Sequence, residues 1–213
     1  MVVTLIELLI ADSPEAWRSA GFAVEGDVCV VGSVALRLVG RGAGTGVVGW
    51  VLGGVPASIA EVDGVPTSVG LDTALPGDPA CSANGTTSID HVVLMTPHLE
   101  RTLAALREIG LEPRRHRDGE LGGSAVRQVF YRLGEVILEV VGSPDATGEG
   151  PASLWGITFN VADIDATAEL LGEGVGRVKD AVQPGRRITT LRSRSFDVSV
   201  PIAFITPHVR VSG

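Results

Sequence analysis

The sequence predicts an α+β fold assembled from paired β-α-β-β-β modules. Three observations carry that expectation. A strand, helix and hairpin pattern recurs in the C-terminal half at a spacing of 65 residues. The strand candidates alternate apolar and polar residues, whereas the helix candidates place apolar residues at i, i+4 and i+7. A stretch rich in Gly, Pro, Ser, Thr and Asp over 64–87 separates this half from a shorter N-terminal part with the same local signatures. A repeat at fixed period decides architecture more firmly than residue propensity does.

In the first C-terminal module, Ile89, His91, Val93 and Met95 share one face of a strand. A helix follows, with Leu99, Leu103 and Leu106 on one stripe and Gly110 placed to end it. A weaker strand over 111–117 comes next. "RQVFYRL" and "EVILEVV" then read as a hairpin turned at Gly134. In the second module, "LWGITFNVADIDATAELLGEG" supplies a strand and a helix whose Ile164, Ala168 and Leu171 match the first stripe. Asp163 is placed to cap that helix. "GRVKDAV", "RRITTLRS" and "VSVPIAFIT" are its three remaining strand candidates. The modules span about 88–142 and 153–207 within a domain 88–213.

The N-terminal part, 1–63, reads as a degenerate copy. "VTLIELLIAD" is strand-like, and "SPEAWRSAG" is a short helix opened by Ser13-Pro14. "VGSVALRLVG" parallels "LGEVILEVVG", with Gly32 matching Gly134. "GVVGWVLGGVPASIAEVDG" is a truncated fourth copy, read as a strand and a short helix. "GRGAGTG" (40–46) is read as a flexible loop, because no helix opens after it as a phosphate loop requires.

Composition narrows the function classes. A formal net charge of -8 argues against nucleic-acid or anionic-membrane partners, which need a basic footprint. Basic residues cluster only at "PRRHRDG" and "GRRITTLRSR", enough for a small anion but here read as solvated charge. The two cysteines, Cys29 and Cys81, form neither a CxxC motif nor a disulfide framework. The apolar start lacks a basic leader and contains Glu7, so a cytoplasmic location is expected.

Through "IDHVVL", "LEVVG", "GITFNVADIDA" and "QPGRRI", residues 88–206 resemble the glyoxalase-like proteins of the vicinal oxygen chelate superfamily. The resemblance implies that each module pair curls into a cup lined by first-strand and last-strand residues. It implies a divalent metal (Zn, Fe, Mn or Ni) acting as a Lewis acid in a lyase, isomerase or dioxygenase. It equally admits metal-free proteins that sequester a small molecule. It also implies a small-molecule ligand and a homodimer.

His91 matches the family's first-strand ligand position and Glu139 its last-strand carboxylate, so both are candidate metal ligands and candidate catalytic residues. The second module departs from the pattern. Gly156 stands where its histidine should be, and Ala203 or Phe204 where its carboxylate should be. In the N-terminal copy the corresponding residues are Leu5 and Arg37. The implied ligand set is therefore incomplete, and Gln128 is the candidate third ligand through its amide oxygen. Arg186 and Arg187 are candidate substrate contacts, because guanidinium suits carboxylate and phosphate, with one of the two directed into the cup. Phe130 is a candidate for substrate contact or core. His91 and Glu139 could share a metal, a proton or only a hydrogen bond.

Overall fold

The computed structural model describes residues 2–70 and 81–208. In the N-terminal part, strand β1 (Thr4–Ile10) leads into helix α1 (Pro14–Ser19), then strands β2 (Val28–Val31), β3 (Val34–Leu38), β4 (Val47–Gly53), β5 (Glu61–Val62) and β6 (Val65–Val69). Strand β7 (Thr86–Met95), helix α2 (Leu99–Glu108) and strands β8 (Arg115–Leu121), β9 (Ser124–Leu133) and β10 (Val136–Gly142) form the first C-terminal module. The second comprises strand β11 (Ser153–Val161), helix α3 (Ile164–Leu171) and strands β12 (Lys179–Asp180), β13 (Arg187–Thr190) and β14 (Ile202–Ile205).

Local chemistry sets these boundaries. The Ser13 hydroxyl accepts from Ala16 N–H at the start of α1, and Asp163 Oδ1 accepts from Asp165 and Ala166 N–H at the start of α3. Each satisfies donors that the first helical turn leaves unpaired. Gly134 adopts a φ of 66° where β9 turns into β10, a conformation that L-residues with side chains avoid. The weaker strand lies later than expected, at Arg115–Leu121, because Pro113 interrupts the preceding segment.

The C-terminal strands form one eight-stranded sheet in the order β12-β13-β14-β11-β7-β10-β9-β8. Within each module the first strand pairs parallel to the last, and β7 and β11 join the modules antiparallel. The six-stranded N-terminal sheet, β2-β3-β1-β4-β6-β5, repeats this plan. There β1 pairs parallel to β3, β4 pairs parallel to β6, and β1 and β4 pair antiparallel. It is thus a module pair in its own right, with strands missing from each half. The fourth copy has no helix over "PASIAE"; that segment is a turn, followed by the hairpin of β5 and β6. The stretch 64–87 is also not wholly a linker. It opens with β6 and closes with the start of β7, while residues 71–80 lie outside the described residues.

One continuous core joins the two sheets and the helices. At the junction, Trp17 and Phe22 from the N-terminal part meet Phe159 and Phe204 from the C-terminal sheet, with ring centroids 4.7–6.4 Å apart. Alternation gives every strand two faces. Val92, Leu94, Leu138, Val140 and Tyr131 are buried on the core side of the C-terminal sheet. His91, Val93, Ile137, Glu139 and Gln128 occupy the opposite, open face, the inside of the expected cup, and are only partly buried.

Candidate functional site

The register brings the first-module candidates together. His91 lies opposite Ile137, and Glu139 lies opposite Val93 and Phe130, so the two side chains stand diagonally on adjacent strands of one face. His91 Nε2 is 3.6 Å from Glu139 Oε2. Their side chains are 15% and 13% exposed, sheltered but open to a ligand. Gln128, two pairs further along and on the same face, donates its amide N–H to Glu139 Oε1. Its own Oε1 accepts from Arg117 Nε at 2.7 Å. Gln128 is therefore oriented with its nitrogen toward the carboxylate, the only assignment that satisfies both neighbours.

The other side of His91 is held as firmly. Nδ1 donates to Asp90 Oδ2 at 2.8 Å. A carboxylate only accepts, so Nδ1 carries the proton and Nε2 of the neutral ring keeps its lone pair on the open face. Burial would push the Asp90 carboxyl up, but its hydrogen bonds to His91 and Arg186, with the charge of Arg186, outweigh that and hold it at about 2, below the usual 3.8. Asp90 is thus an anion through the ordinary pH range. The arrangement is the familiar one in which an outer carboxylate fixes an imidazole's tautomer and aim.

Arg186, expected at the substrate, is placed elsewhere. Its side chain is 2% exposed, and it donates to Asp90 Oδ1 at 2.6 Å, Asn160 Oδ1 at 2.8 Å, Thr206 O at 2.6 Å and His208 Nε2 at 3.1 Å. With its donors spent inside the protein, it orients Asp90 rather than a ligand. Arg187 points to the helix side, bidentate to Asp165 of α3 at 2.6 and 2.8 Å. Thr189 lies on the core side with Phe204, whereas Ile188 and Thr190 share the open face of Ala203, so alternation turns Arg187 away from the cup. Arg186 has the other parity, but Asp90, Asn160, Thr206 and His208 hold its guanidinium within the protein.

The arginines on the open face come from "PRRHRDG" instead. Arg115 pairs with Phe130 and Arg117 with Gln128, which puts both on the face of Glu139. The Arg115 guanidinium lies 4.3 Å from the Phe130 ring centroid, a cation–π contact. Phe130 itself is 9% exposed beside Glu139, so it lines the site. The signal was present in the sequence as a two-residue period, Arg115-x-Arg117, ahead of a Gly-Gly turn. Asp90 was visible only as a charge within an apolar strand; the irregular pairing between Ile89 and His91 that sets it beside the imidazole leaves no mark in the sequence.

The second module contributes a different half-site. The register equates Gly156 with His91 and Ala203 with Glu139, which decides between Ala203 and Phe204. A Cβ on Gly156 would lie 2.9 Å from Pro201 O, so no side chain fits there. Val93, Trp155, Thr158, Thr190 and Ala203 complete a mainly apolar hollow around it. Trp155 is 53% exposed, whereas Trp17 and Trp50 are fully buried.

The donor set can be tested against a metal. A protein-held divalent centre of this kind needs three or more ligands. His91 Nε2 and Glu139 Oε2 are two. Gly156 and Ala203 supply none, and the Gln128 oxygen is engaged by Arg117. Among the described residues no three His, Cys, Asp or Glu side chains converge. The residues present therefore do not fit a complete metal centre.

Comparison with known proteins adds the lineage. Residues 88–195, just over half of the chain, match the family model of the Glyoxalase/Bleomycin resistance protein/Dioxygenase superfamily. The chain belongs to that superfamily. No curated protein sequence matches it. Among solved structures, a mutant 4-hydroxymandelate synthase from Streptomyces coelicolor superposes with a TM-score of 0.65 at 16% identity, covering 100% of this chain and 94% of that one. A catechol 2,3-dioxygenase gives 0.60 at 12% identity, covering 97% and 94%. A fusion of a xylose isomerase-like TIM barrel with 4-hydroxyphenylpyruvate dioxygenase gives 0.65 at 14% identity, covering 99% of this chain and 49% of that one. At such identities the likeness is one of fold, and it extends over both sheets.

Proposed function

We propose that the open face of the C-terminal sheet binds a small oxygenated or carboxylated molecule and moves a proton on it through His91. The observation that carries this reading is the aim of the imidazole. Asp90 holds the Nδ1 proton, and Nε2 faces the open side beside Glu139 with no direct hydrogen bond at 3.6 Å. Such a nitrogen accepts a proton from carbon beside a carbonyl, and Glu139 stabilises the imidazolium that forms. Gln128 steadies Glu139 from the far side. Arg115 and Arg117 supply positive charge for a carboxylate. The family's metal chemistry is not invoked for any step, because the donor set is incomplete.

A second reading, sequestration without turnover, is favoured by the exposed Trp155 and the apolar hollow around Gly156. One experiment separates the two. A panel of small 2-oxo and 2-hydroxy acids is screened by thermal shift and by exchange of the carbon-bound proton for deuterium, on the wild type, His91→Ala and Glu139→Gln. Proton transfer predicts exchange in the wild type, lowered by about 10²–10⁴-fold in His91→Ala, with binding retained. Binding without exchange in all three proteins assigns sequestration. Exchange that survives His91→Ala unchanged overturns the proposal.

A further inference from the structure

Two sequence features have no part in the open-face site, the glycine-rich loop "GRGAGTG" and the basic run ending in "LRSR". They meet in space. Arg41 and Thr45 from the loop, with Arg192, Ser193, Arg194 and Ser199 from the segment leading into β14, line a cleft of about 700 Å³ between the N-terminal and C-terminal parts. Arg41 is fixed there, donating to Asp197 O at 2.5 Å and Asp197 Oδ1 at 2.9 Å, with Asp12 Oδ1 at 3.4 Å from its Nε.

Asp12 is fully buried and occupied, accepting from the Trp17 indole and from Ser199 N–H. Arg192 and Arg194 are different. Both are exposed, and neither guanidinium has a side-chain hydrogen bond or ion pair among the described residues, in contrast to Arg41 in the same cleft. Ser199 Oγ accepts from Gly46 N–H at 2.8 Å, which leaves its own proton without an acceptor among the described residues. In a chain of net charge -8, two uncompensated guanidiniums in one cleft are a local excess.

We propose that this cleft is a second site, built for a phosphate-type dianion. Arg192 and Arg194 supply charge-assisted hydrogen bonds and the Ser199 hydroxyl a neutral donor, while Arg41, neutralised by Asp197 and Asp12, holds the wall of the cleft. Guanidinium forks match the tetrahedral oxygens of phosphate, and neutralising a dianion requires two of them. The cleft shares Thr190 and Pro201 with the hollow beside Trp155, so an occupant with an organic tail has a route toward the open face.

The test is calorimetric titration with inorganic phosphate and with glycerol phosphate, at ionic strength held constant with chloride. Saturable phosphate binding is expected in the wild type and in His91→Ala, weakened about tenfold or more in the double variant R192Q/R194Q. Both substituted residues are exposed, so the double variant should keep the wild-type melting temperature in chloride. Tighter binding of the ester assigns a phosphorylated organic ligand; equal or weaker binding assigns free phosphate. Heats that do not exceed those of chloride, or a double variant that binds as tightly as the wild type, overturn the proposal.

Discussion

In the N-terminal sheet, Glu7 lies opposite Ala35 on the parallel neighbour, and Arg37 comes two residues after that partner. In the C-terminal sheet, His91 lies opposite Ile137, and Glu139 comes two residues after it. The positions are equivalent and the contents are opposite. Arg37 clasps Glu7 with two hydrogen bonds of 2.8 and 2.9 Å and has Asp27 at 3.6 Å on its other side, so the charges are satisfied within the protein. His91 and Glu139 stand 3.6 Å apart, each anchored from its outer side, with the space between them open. The same scaffold carries a self-satisfied pair in one sheet and an open pair in the other. Chemistry follows from which pair satisfies itself and which needs something else.

That contrast rests on the anchor beneath His91, and the largest predicted effect comes from removing it. Arg186→Met leaves the Asp90 carboxylate buried without its cation, which should cost about 3–5 kcal/mol of stability in chemical denaturation. The carboxylate that holds the His91 Nδ1 proton would also lose its fixed position, so any His91-dependent exchange should fall with it. The double variant Arg186→Met/Asp90→Leu should recover much of the stability and none of the exchange. Recovery of both would show that the outer carboxylate has no part in aiming the ring.

A second way to press the comparison is to rebuild the missing half. Gly156→His puts the family's second histidine back at its position. Pro201 O blocks even a Cβ there, so the substitution should cost about 3 kcal/mol, the upper end for overpacking, and create no metal site. Metal analysis of the purified variant against the wild type checks the second part. Stoichiometric metal in Gly156→His with unchanged stability would mean that Pro201 yields easily.

Acid provides a subtler probe of the same anchor. The folded-state pKa of Asp90 is depressed, so its contribution is complete above the unfolded value near 3.8 and is lost as pH falls through about 2. That loss should amount to about 2 kcal/mol between pH 4 and 2. Asp90→Asn should lack this component of the pH–stability curve. An identical acid limb in both proteins would contradict the assigned ion pair.

How far the sequence revealed these features depended on distance along the chain. The 65-residue repeat, the turn glycines and the shared face of His91, Gln128 and Glu139 were legible, because alternation and hairpin register are local. The Asp90–Arg186 pair was not, since it joins residues 96 apart. The N-terminal equivalent of His91 was assigned to Leu5, yet the register gives Glu7. Strand β1 carries an irregularity between Leu5 and Glu7 in its pairing with β4, and such a shift exchanges the faces of a strand without marking the sequence. "PRRHRDG" was read as solvated loop charge; its arginines are exposed, but Arg115 and Arg117 lie on edge strand β8, and charge on an edge strand and charge in a loop have the same composition.

The smallest effects are expected in the N-terminal sheet, and there they are most discriminating. Arg37 is 34% exposed, so a Glu7→Gln/Arg37→Gln cycle should give a coupling of about 1 kcal/mol or less, reduced further by salt. Ligand binding and exchange at the C-terminal sheet should not change. The sharper version transplants the pair, with Glu7→His and Arg37→Glu made together. The imidazole and carboxylate would then occupy the equivalent positions, but Ile6 stands where Asp90 would be needed. Without a buried carboxylate to hold the Nδ1 proton, the transplanted ring has no preferred tautomer, and no exchange should appear in a His91→Ala background. Exchange in that triple variant would show that the pair alone suffices, and that Asp90 and Arg186 serve only the stability of the fold.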